Sequence, residues 1–219
     1  RSLKEIESEI DWMSYLTAHQ LKIAAPVKSN DEKYVIELND KKFLAAVFEK
    51  AEGSFLEDSK DVSHEMIQTW GRYLGKMHRL TKEYRPAQNI LPRQQWRQDE
   101  SLAMALRSLD KNDEIPYRRM NELIEWMRAL DKNINAYGLI HADLHRGNFF
   151  VKNNQITAFD FDDSCYQWFS YDLIAPINSI HNNFSEGVRL EQKDKTTDLF
   201  LSGYNLENTL DPIWINRLP

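Results

Sequence analysis

The chain has 219 residues, of which 42% are hydrophobic and 28% charged, a composition typical of a globular protein with one large domain or two modest ones. A formal net charge of −6 argues against a nucleic-acid-binding protein, whose surface is usually basic. The single cysteine, Cys165, excludes an internal disulfide, and neither a membrane-spanning apolar run nor a secretory signal is present, so we expect a cytoplasmic protein without membrane partners.

The N-terminal part of the sequence predicts one helix followed by a β-hairpin. Apolar residues recur at helical spacing over residues 3–18, with Ser2 as the N-cap and Glu5 completing a capping box. The β-rich segments Tyr34–Leu38 and Phe43–Phe48 are separated by four polar residues, which is typical of an antiparallel hairpin.

The rest of the chain is mainly helical, with one short hairpin in its middle. Because the β-rich pattern ends near residue 52 and a polar stretch follows over 57–63, we predict a small domain at 1–52 and a larger one at 53–219. We expect a polar linker at 110–114, directly after the predicted helix at 95–109. The predicted helices cover 66–80, 95–109, 120–134, 171–182 and 191–204, and the predicted strands cover 149–152 and 155–159.

Three oxygen-bearing side chains surround that short hairpin. Asp143 follows a short apolar strand, Asn148 comes five residues later, and Asp160 comes directly after the hairpin. An aspartate at the end of a strand can accept a proton or hold a hydroxyl in line for attack, and amide and carboxylate oxygens are ligands for Mg²⁺. Taken alone, Asp143 or Asn148 is more typical of a turn than of a functional site. The three together favour a site for phosphoryl transfer.

These residues lie in motifs that resemble those of the aminoglycoside phosphotransferase/choline kinase family. His141–Asn148 is similar to the family's catalytic loop, usually His-Gly-Asp-Leu-His-Pro-Gly-Asn, and Asp160–Asp163 is similar to its metal-binding segment. Trp70–His78 resembles a helix of its large lobe, and Phe48–Gly53 resembles its hinge. The resemblance implies an α+β, two-lobed protein-kinase-like fold, with a small, incomplete β-rich N-lobe and a large helical C-lobe.

The same resemblance implies roles for individual residues around the catalytic loop. Asp143 would be the base or the group that orients the hydroxyl, and Asn148 and Asp160 would bind Mg²⁺. The imidazole of His145 would hydrogen-bond a phosphate oxygen or the acceptor. Asp172 would tie down the catalytic loop from below. Of the remaining residues, His141 would support the loop, and Asp162 is open between a second metal contact and a solvated charge.

The family's ATP site implies a second group of residues. Glu9 would pair with an ATP-contacting lysine, although a solvated helix charge is an equally open interpretation. The backbone of Glu49 and Ala51 would hold adenine, and Phe48 would contribute apolar contact. The Gly-rich loop and the lysine are expected before residue 1, and Arg146 stands where the family usually has proline.

The sequence therefore predicts an ATP-dependent, Mg²⁺-dependent phosphotransferase that acts on a hydroxyl of a small molecule resembling an aminoglycoside, choline or homoserine. A bacterial protein Ser/Thr kinase of the same fold and a non-catalytic nucleotide-binding module are the alternatives. The acceptor and the oligomeric state stay open. Five tryptophans on or near apolar stripes are expected to be mostly core residues: Trp12, Trp70, Trp96, Trp126 and Trp168.

Overall fold

The N-terminal part consists of one helix and a three-stranded antiparallel sheet. This computed structural model describes residues 1–39, 43–56, 63–98, 100–109, 114–181 and 190–218. Its first elements are α1 (Leu3–Ala18), β1 (Pro26–Val27), β2 (Val35–Leu38) and β3 (Phe43–Phe48), with β3 in the middle of the sheet. The predicted capping box is present, since Ser2 and Glu5 bond each other's backbone N–H groups. The predicted hairpin is confirmed, with Val35 opposite Ala46 and Leu38 opposite Phe43.

The larger part contains helices and two separate two-stranded sheets. Its elements are α2 (His64–Glu83), a 3-10 turn (Trp96–Gln98), α3 (Glu100–Ser108), α4 (Glu114–Ala129), β4 (Tyr137–Ile140), β5 (Phe149–Lys152), β6 (Gln155–Ala158), β7 (Cys165–Trp168), α5 (Phe169–Asp172), α6 (Ile174–His181), α7 (Leu190–Tyr204) and α8 (Pro212–Ile215). Strand β4 pairs with β7 and β5 pairs with β6, both antiparallel. The predicted hairpin around the catalytic motif is therefore confirmed.

Several predicted boundaries differ from the observed ones. The predicted helix 95–109 is divided into a 3-10 turn and α3, and the predicted helix 171–182 is divided into α5 and α6. Helix α4 already begins at Glu114 and includes Pro116, because proline in the first turn removes no intrahelical hydrogen bond. Most of the predicted linker and the polar stretch before α2, residues 110–113 and 57–62, lie outside the described residues. The domain boundary near residue 52 stays a prediction.

Helices α2 and α7 pack with their backbones in contact. A Cβ atom added at Gly71 would lie 1.9 Å from the carbonyl oxygen of Phe200, and one added at Gly203 would lie 2.0 Å from that of Gln68. Since neither distance leaves room for a methyl group, glycine is required on both helices. This contact brings Tyr204, at the end of α7, against the middle of α2.

The tryptophan prediction is correct except at one position. Trp12, Trp70, Trp96 and Trp168 are buried, whereas Trp126 on α4 is 50% exposed. The prediction for Trp126 is wrong because α4 covers the core mainly through Ile124 and leaves part of its apolar face outside. Among the described residues, no helix has both the length and the apolarity to cross a membrane.

Candidate active site

The catalytic loop begins where β4 ends, and a buried carboxylate holds its first peptides. Asp172 accepts a hydrogen bond from the backbone N–H of His141 at 3.1 Å and another from that of Ala142 at 2.7 Å. Ala142 has a φ of +73°, a left-handed conformation that is costly for a residue with a side chain. Asp172 therefore fixes a strained turn directly before Asp143, as the family resemblance implied.

Asp143, His145 and Asn148 lie together in this loop. The amide nitrogen of Asn148 donates to the backbone oxygen of Asp143 at 2.9 Å and to its carboxylate at 3.0 Å. The amide oxygen of Asn148 is thereby turned away from Asp143 and is the atom suited to a cation. His145 Nδ1 accepts from Gly147 N–H at 2.8 Å, so the proton of a neutral imidazole lies on Nε2, 3.4 Å from the carboxylate of Asp143.

His141 supports the loop from inside the core. Its Nε2 lies 3.2 Å from the carbonyl oxygen of Phe159, to which it donates, and its ring packs on Phe161 at a centroid distance of 4.6 Å. The backbone N–H of Asp143 approaches Nδ1 at 3.4 Å. Burial lowers the pKa of His141, so the imidazole is neutral near pH 7. These contacts agree with the predicted supporting role.

Asp160 lies across from the catalytic loop, at the end of β6. The N–H of the preceding residue, Phe159, donates to the backbone oxygen of Asn148 at 3.0 Å, which ties the two predicted metal-binding segments together. Asp160 has a φ of +66°. Its pKa is raised to about 6, first by partial burial, then by a hydrogen bond with Asp162 and by the charges of Asp162, Asp163 and Asp143. The segment thus concentrates negative charge that a cation would neutralise.

The donor set at this point fits magnesium. An amide oxygen from Asn148 and a carboxylate from Asp160 are hard oxygen donors, and Mg²⁺ is typically held by few protein ligands together with water and phosphate. In the part of the chain that the structure describes, no group of three or more His, Cys, Asp or Glu side chains is arranged for a metal ion. A site made of two protein ligands is consistent with this finding.

A cavity of about 500 Å³ opens beside the metal segment. Its lining includes Glu9, Phe48 and Asp160, which brings two predicted nucleotide-binding residues together with a predicted metal ligand. Glu9 is only 5% exposed and bonds the guanidinium of Arg1, so its interpretation as a solvated charge is wrong. A larger cavity of about 900 Å³ lies between α1 and β2 and includes none of the catalytic-loop residues.

Of the three residues predicted for the hinge, only Phe48 lines this cavity. Its described lining includes Phe48 but neither Glu49 nor Ala51. The backbone N–H of Glu49 donates to the carbonyl oxygen of Ala25 at 2.8 Å. Glu49 can therefore offer an incoming ligand its carbonyl oxygen but not its N–H group.

Arg93 is a buried residue of the site that sequence reasoning missed. Its guanidinium donates to three backbone carbonyl oxygens, those of Ser164 at 2.8 Å, Glu5 at 3.0 Å and Asp162 at 2.5 Å. It thereby joins the first turn of α1 to the metal segment. The surrounding sequence has no helical or strand periodicity, so only the tertiary structure reveals the contact.

Comparison with known proteins gives consistent results for sequence and structure. The sequence profile described as "Phosphotransferase enzyme family" matches residues 1–201. The amicoumacin kinase of Bacillus subtilis (strain 168) is 35% identical over 227 residues, covering 100% of this chain and 66% of the relative. The homoserine kinase of Methylobacillus flagellatus is 27% identical, covering 81% of this chain and 53% of the relative. The chain thus spans slightly less than two thirds of the first relative and about half of the second.

Solved structures show the same architecture. An amicoumacin kinase in complex with AMP-PNP, Ca²⁺ and Ami superimposes with a TM-score of 0.90 at 34% identity, covering 98% of this chain and 65% of that one. A microcompartment-associated aminopropanol kinase superimposes with a TM-score of 0.71 at 21% identity, covering 96% of this chain and 67% of that one, and supports the fold alone. The predicted α+β, two-lobed protein-kinase-like fold is confirmed.

Proposed function

The chain belongs to the phosphotransferase enzyme family, and from that premise we propose that it is the core of an ATP-dependent kinase acting on a hydroxyl group of a small molecule. The observation that carries the proposal is the position of Asn148, whose amide contacts the carboxylate of Asp143 while its backbone is tied to the metal segment. A group for the acceptor and a group for the cation are thereby held in one rigid unit.

Within this proposal, each residue around the loop has a different role in phosphoryl transfer. Asp143 accepts a hydrogen bond from the acceptor hydroxyl, aligns its oxygen for attack and takes its proton. The Nε2–H of His145 lies close enough to orient that carboxylate or to donate to a transferring phosphate oxygen. Asn148 and Asp160 would hold Mg²⁺, which supplies neutralisation of phosphate charge when bound.

The nucleotide would occupy the cavity beside β3 and the metal segment. Phe48 offers it an apolar wall. The carbonyl oxygen of Glu49 and the N–H of Ala51, which follow Phe48 in the chain, are the backbone groups proposed for adenine. Glu9 lies buried at the same cavity, where its carboxylate can hold the expected lysine in position to contact phosphate. The AMP-PNP and Ca²⁺ in the amicoumacin kinase complex support a nucleotide and a divalent cation as ligands. Dependence on ATP also leads us to propose a cytoplasmic location.

The acceptor is proposed to be a small molecule because the relatives are named for such acceptors. Amicoumacin kinase and homoserine kinase each carry the name of a low-molecular-weight compound. A protein Ser/Thr acceptor is the outcome that would redirect the proposal. Radiolabelled ATP in a cell extract distinguishes them, since label in metabolites supports a small acceptor and label in protein bands contradicts it.

The direct test measures ADP release across a panel of aminoglycosides, amino alcohols and sugars in the presence of Mg²⁺. We expect Asp143→Asn to lower kcat by about a thousandfold, because general-base and orienting roles contribute about 10² to 10⁴. Asp194→Asn, an exposed aspartate on α7, is the control and should keep the wild-type rate. Wild-type turnover in Asp143→Asn would refute the role of the base. Nucleotide binding without any ADP release would indicate a non-catalytic module.

A further inference from the structure

A continuous chain of hydrogen bonds runs from the surface to the carboxylate that holds the catalytic loop. Lys82 Nζ contacts Asn208 Oδ1 at 2.5 Å, and Asn208 Nδ2 contacts the hydroxyl of Tyr204 at 2.6 Å. The hydroxyl of Tyr204 lies 2.8 Å from His78 Nδ1, and His78 Nε2 lies 2.9 Å from Asp172 Oδ2. Four side chains therefore lead to the residue that fixes the turn before Asp143.

The direction of every bond in this chain follows from its first member. An ammonium group can only donate, so the oxygen of the Asn208 amide faces Lys82 and its NH₂ group faces Tyr204. The hydroxyl of Tyr204 accepts that bond and has its single proton left to donate to His78 Nδ1. His78 consequently accepts at Nδ1 and carries its proton on Nε2, from which it donates to Asp172.

Because these side chains are buried, the position of each proton determines how Asp172 is hydrogen-bonded. His78, Tyr204 and Asp172 are fully buried, and His78 stacks on Phe169 at a centroid distance of 4.5 Å. A buried carboxylate needs donors on its oxygens, because its desolvation is otherwise costly. Through His78, the chain of hydrogen bonds supplies one neutral donor to Asp172. The negative charge of Asp172 therefore stays available to the backbone N–H groups of the catalytic loop. Burial lowers the pKa of Lys82, although its ammonium stays partly accessible.

We propose that Lys82, Asn208, Tyr204 and His78 form a positioning relay for phosphotransfer, with Lys82 and Tyr204 as its decisive members. The relay keeps His78 in the Nε2–H form and so preserves the grip of Asp172 on the strained turn at Ala142. None of the four residues belongs to the groups proposed to contact the acceptor, the nucleotide or the cation. The effect on catalysis rests on the proposed kinase function, whereas the effect on the loop does not.

The test compares Tyr204→Phe and Lys82→Met with Tyr84→Phe. Tyr84, the C-cap residue of α2, is also buried, but its hydroxyl donates to Asp11 at 2.7 Å, outside the relay. We expect Tyr204→Phe to lower kcat about tenfold and Lys82→Met about threefold, with both KM values within about twofold. The larger effect belongs to Tyr204→Phe because it removes two buried hydrogen bonds of the relay, whereas Lys82→Met removes one at its accessible end. Tyr84→Phe should stay within about twofold of wild type. The double variant of Lys82 and Tyr204 should be no worse than Tyr204→Phe, because both changes break the same chain.

Two readouts do not require activity. In ¹⁵N NMR spectra, His78 should be in the Nε2–H form in the wild type and in Tyr84→Phe, and a tautomer mixture in Tyr204→Phe. The amide hydrogen of Ala142 should exchange about tenfold faster in Tyr204→Phe and about threefold faster in Lys82→Met than in the controls. If the wild type has no kinase activity, the proposed function is refuted, but the tautomer and exchange measurements still test the relay. Unchanged tautomer and exchange in Tyr204→Phe, or additive losses in the double variant, would overturn the relay. If Tyr204→Phe does not fold, Lys82→Met alone decides by the same exchange measurement.

Discussion

Replacing Asp160 by Asn is expected to stabilise the metal-free protein at neutral pH while removing its activity. Asp160 is proposed to bind the cation, yet without a cation its charge lies among the carboxylates of Asp162, Asp163 and Asp143. Asparagine resembles the protonated acid in shape and can donate to Asp162 in the same way. The substitution therefore removes the repulsion together with the metal ligand.

The magnitude follows from the shift in pKa. The pKa of Asp160 rises from 3.8 to about 6 on folding, through burial first and then through Asp162. Such a rise costs the folded state about 3 kcal/mol at neutral pH. Because Asp160 is only partly buried and much of its surface is exposed, solvent screening reduces the cost to about 1 kcal/mol. The cost is full above about pH 6 and disappears below about pH 4, since the acid is then protonated in both states.

The assay is urea denaturation of both proteins at pH 5 and pH 7.5, in EDTA and with millimolar Mg²⁺. In EDTA, the stability advantage of Asp160→Asn should be larger at pH 7.5 than at pH 5. Asparagine also tolerates the positive φ at this position better than aspartate, and that contribution should be independent of pH. Mg²⁺ should stabilise only the wild type. An advantage that is absent at pH 7.5, or that grows towards acid, would refute the reasoning.

Three further predictions concern the supports of the site. Asp172→Asn should lower the free energy of unfolding by about 3 kcal/mol and reduce kcat, because Asp172 accepts three hydrogen bonds through two oxygens and the amide keeps only one of these acceptors; a loss below about 1 kcal/mol would contradict it. Gly71→Ala should cost about 2–3 kcal/mol in thermal unfolding through the clash with Phe200, and an unchanged Tm would refute the packing. Stability should fall as the pH drops below about 6.5, because folding lowers the pKa of His141; His141→Gln should show a shallower decline in urea midpoints.

The sequence predicted what depends on neighbouring residues, and missed what depends on distant ones. Helix α1 and the hairpin β5–β6 follow from local periodicity and turn residues, and the loop from Asp143 to Asn148 is a contiguous motif. Strand β7 was not predicted, because Cys165–Trp168 lacks alternation and is fixed by pairing with β4. The bonds of Arg93 likewise join segments far apart in the chain, so no local pattern indicates them.

The close contact between α2 and α7 has a consequence for the order in which the protein is made. Helix α2 is synthesised before the catalytic loop and α7 after it, yet the glycine contacts at Gly71 and Gly203 join these two helices. Tyr204 reaches His78 only once α7 has docked. During translation, the segment that contains Asp143 therefore emerges from the ribosome before the core beneath it is complete. The catalytic loop is translated in the middle of the chain but matures among the last parts of the fold.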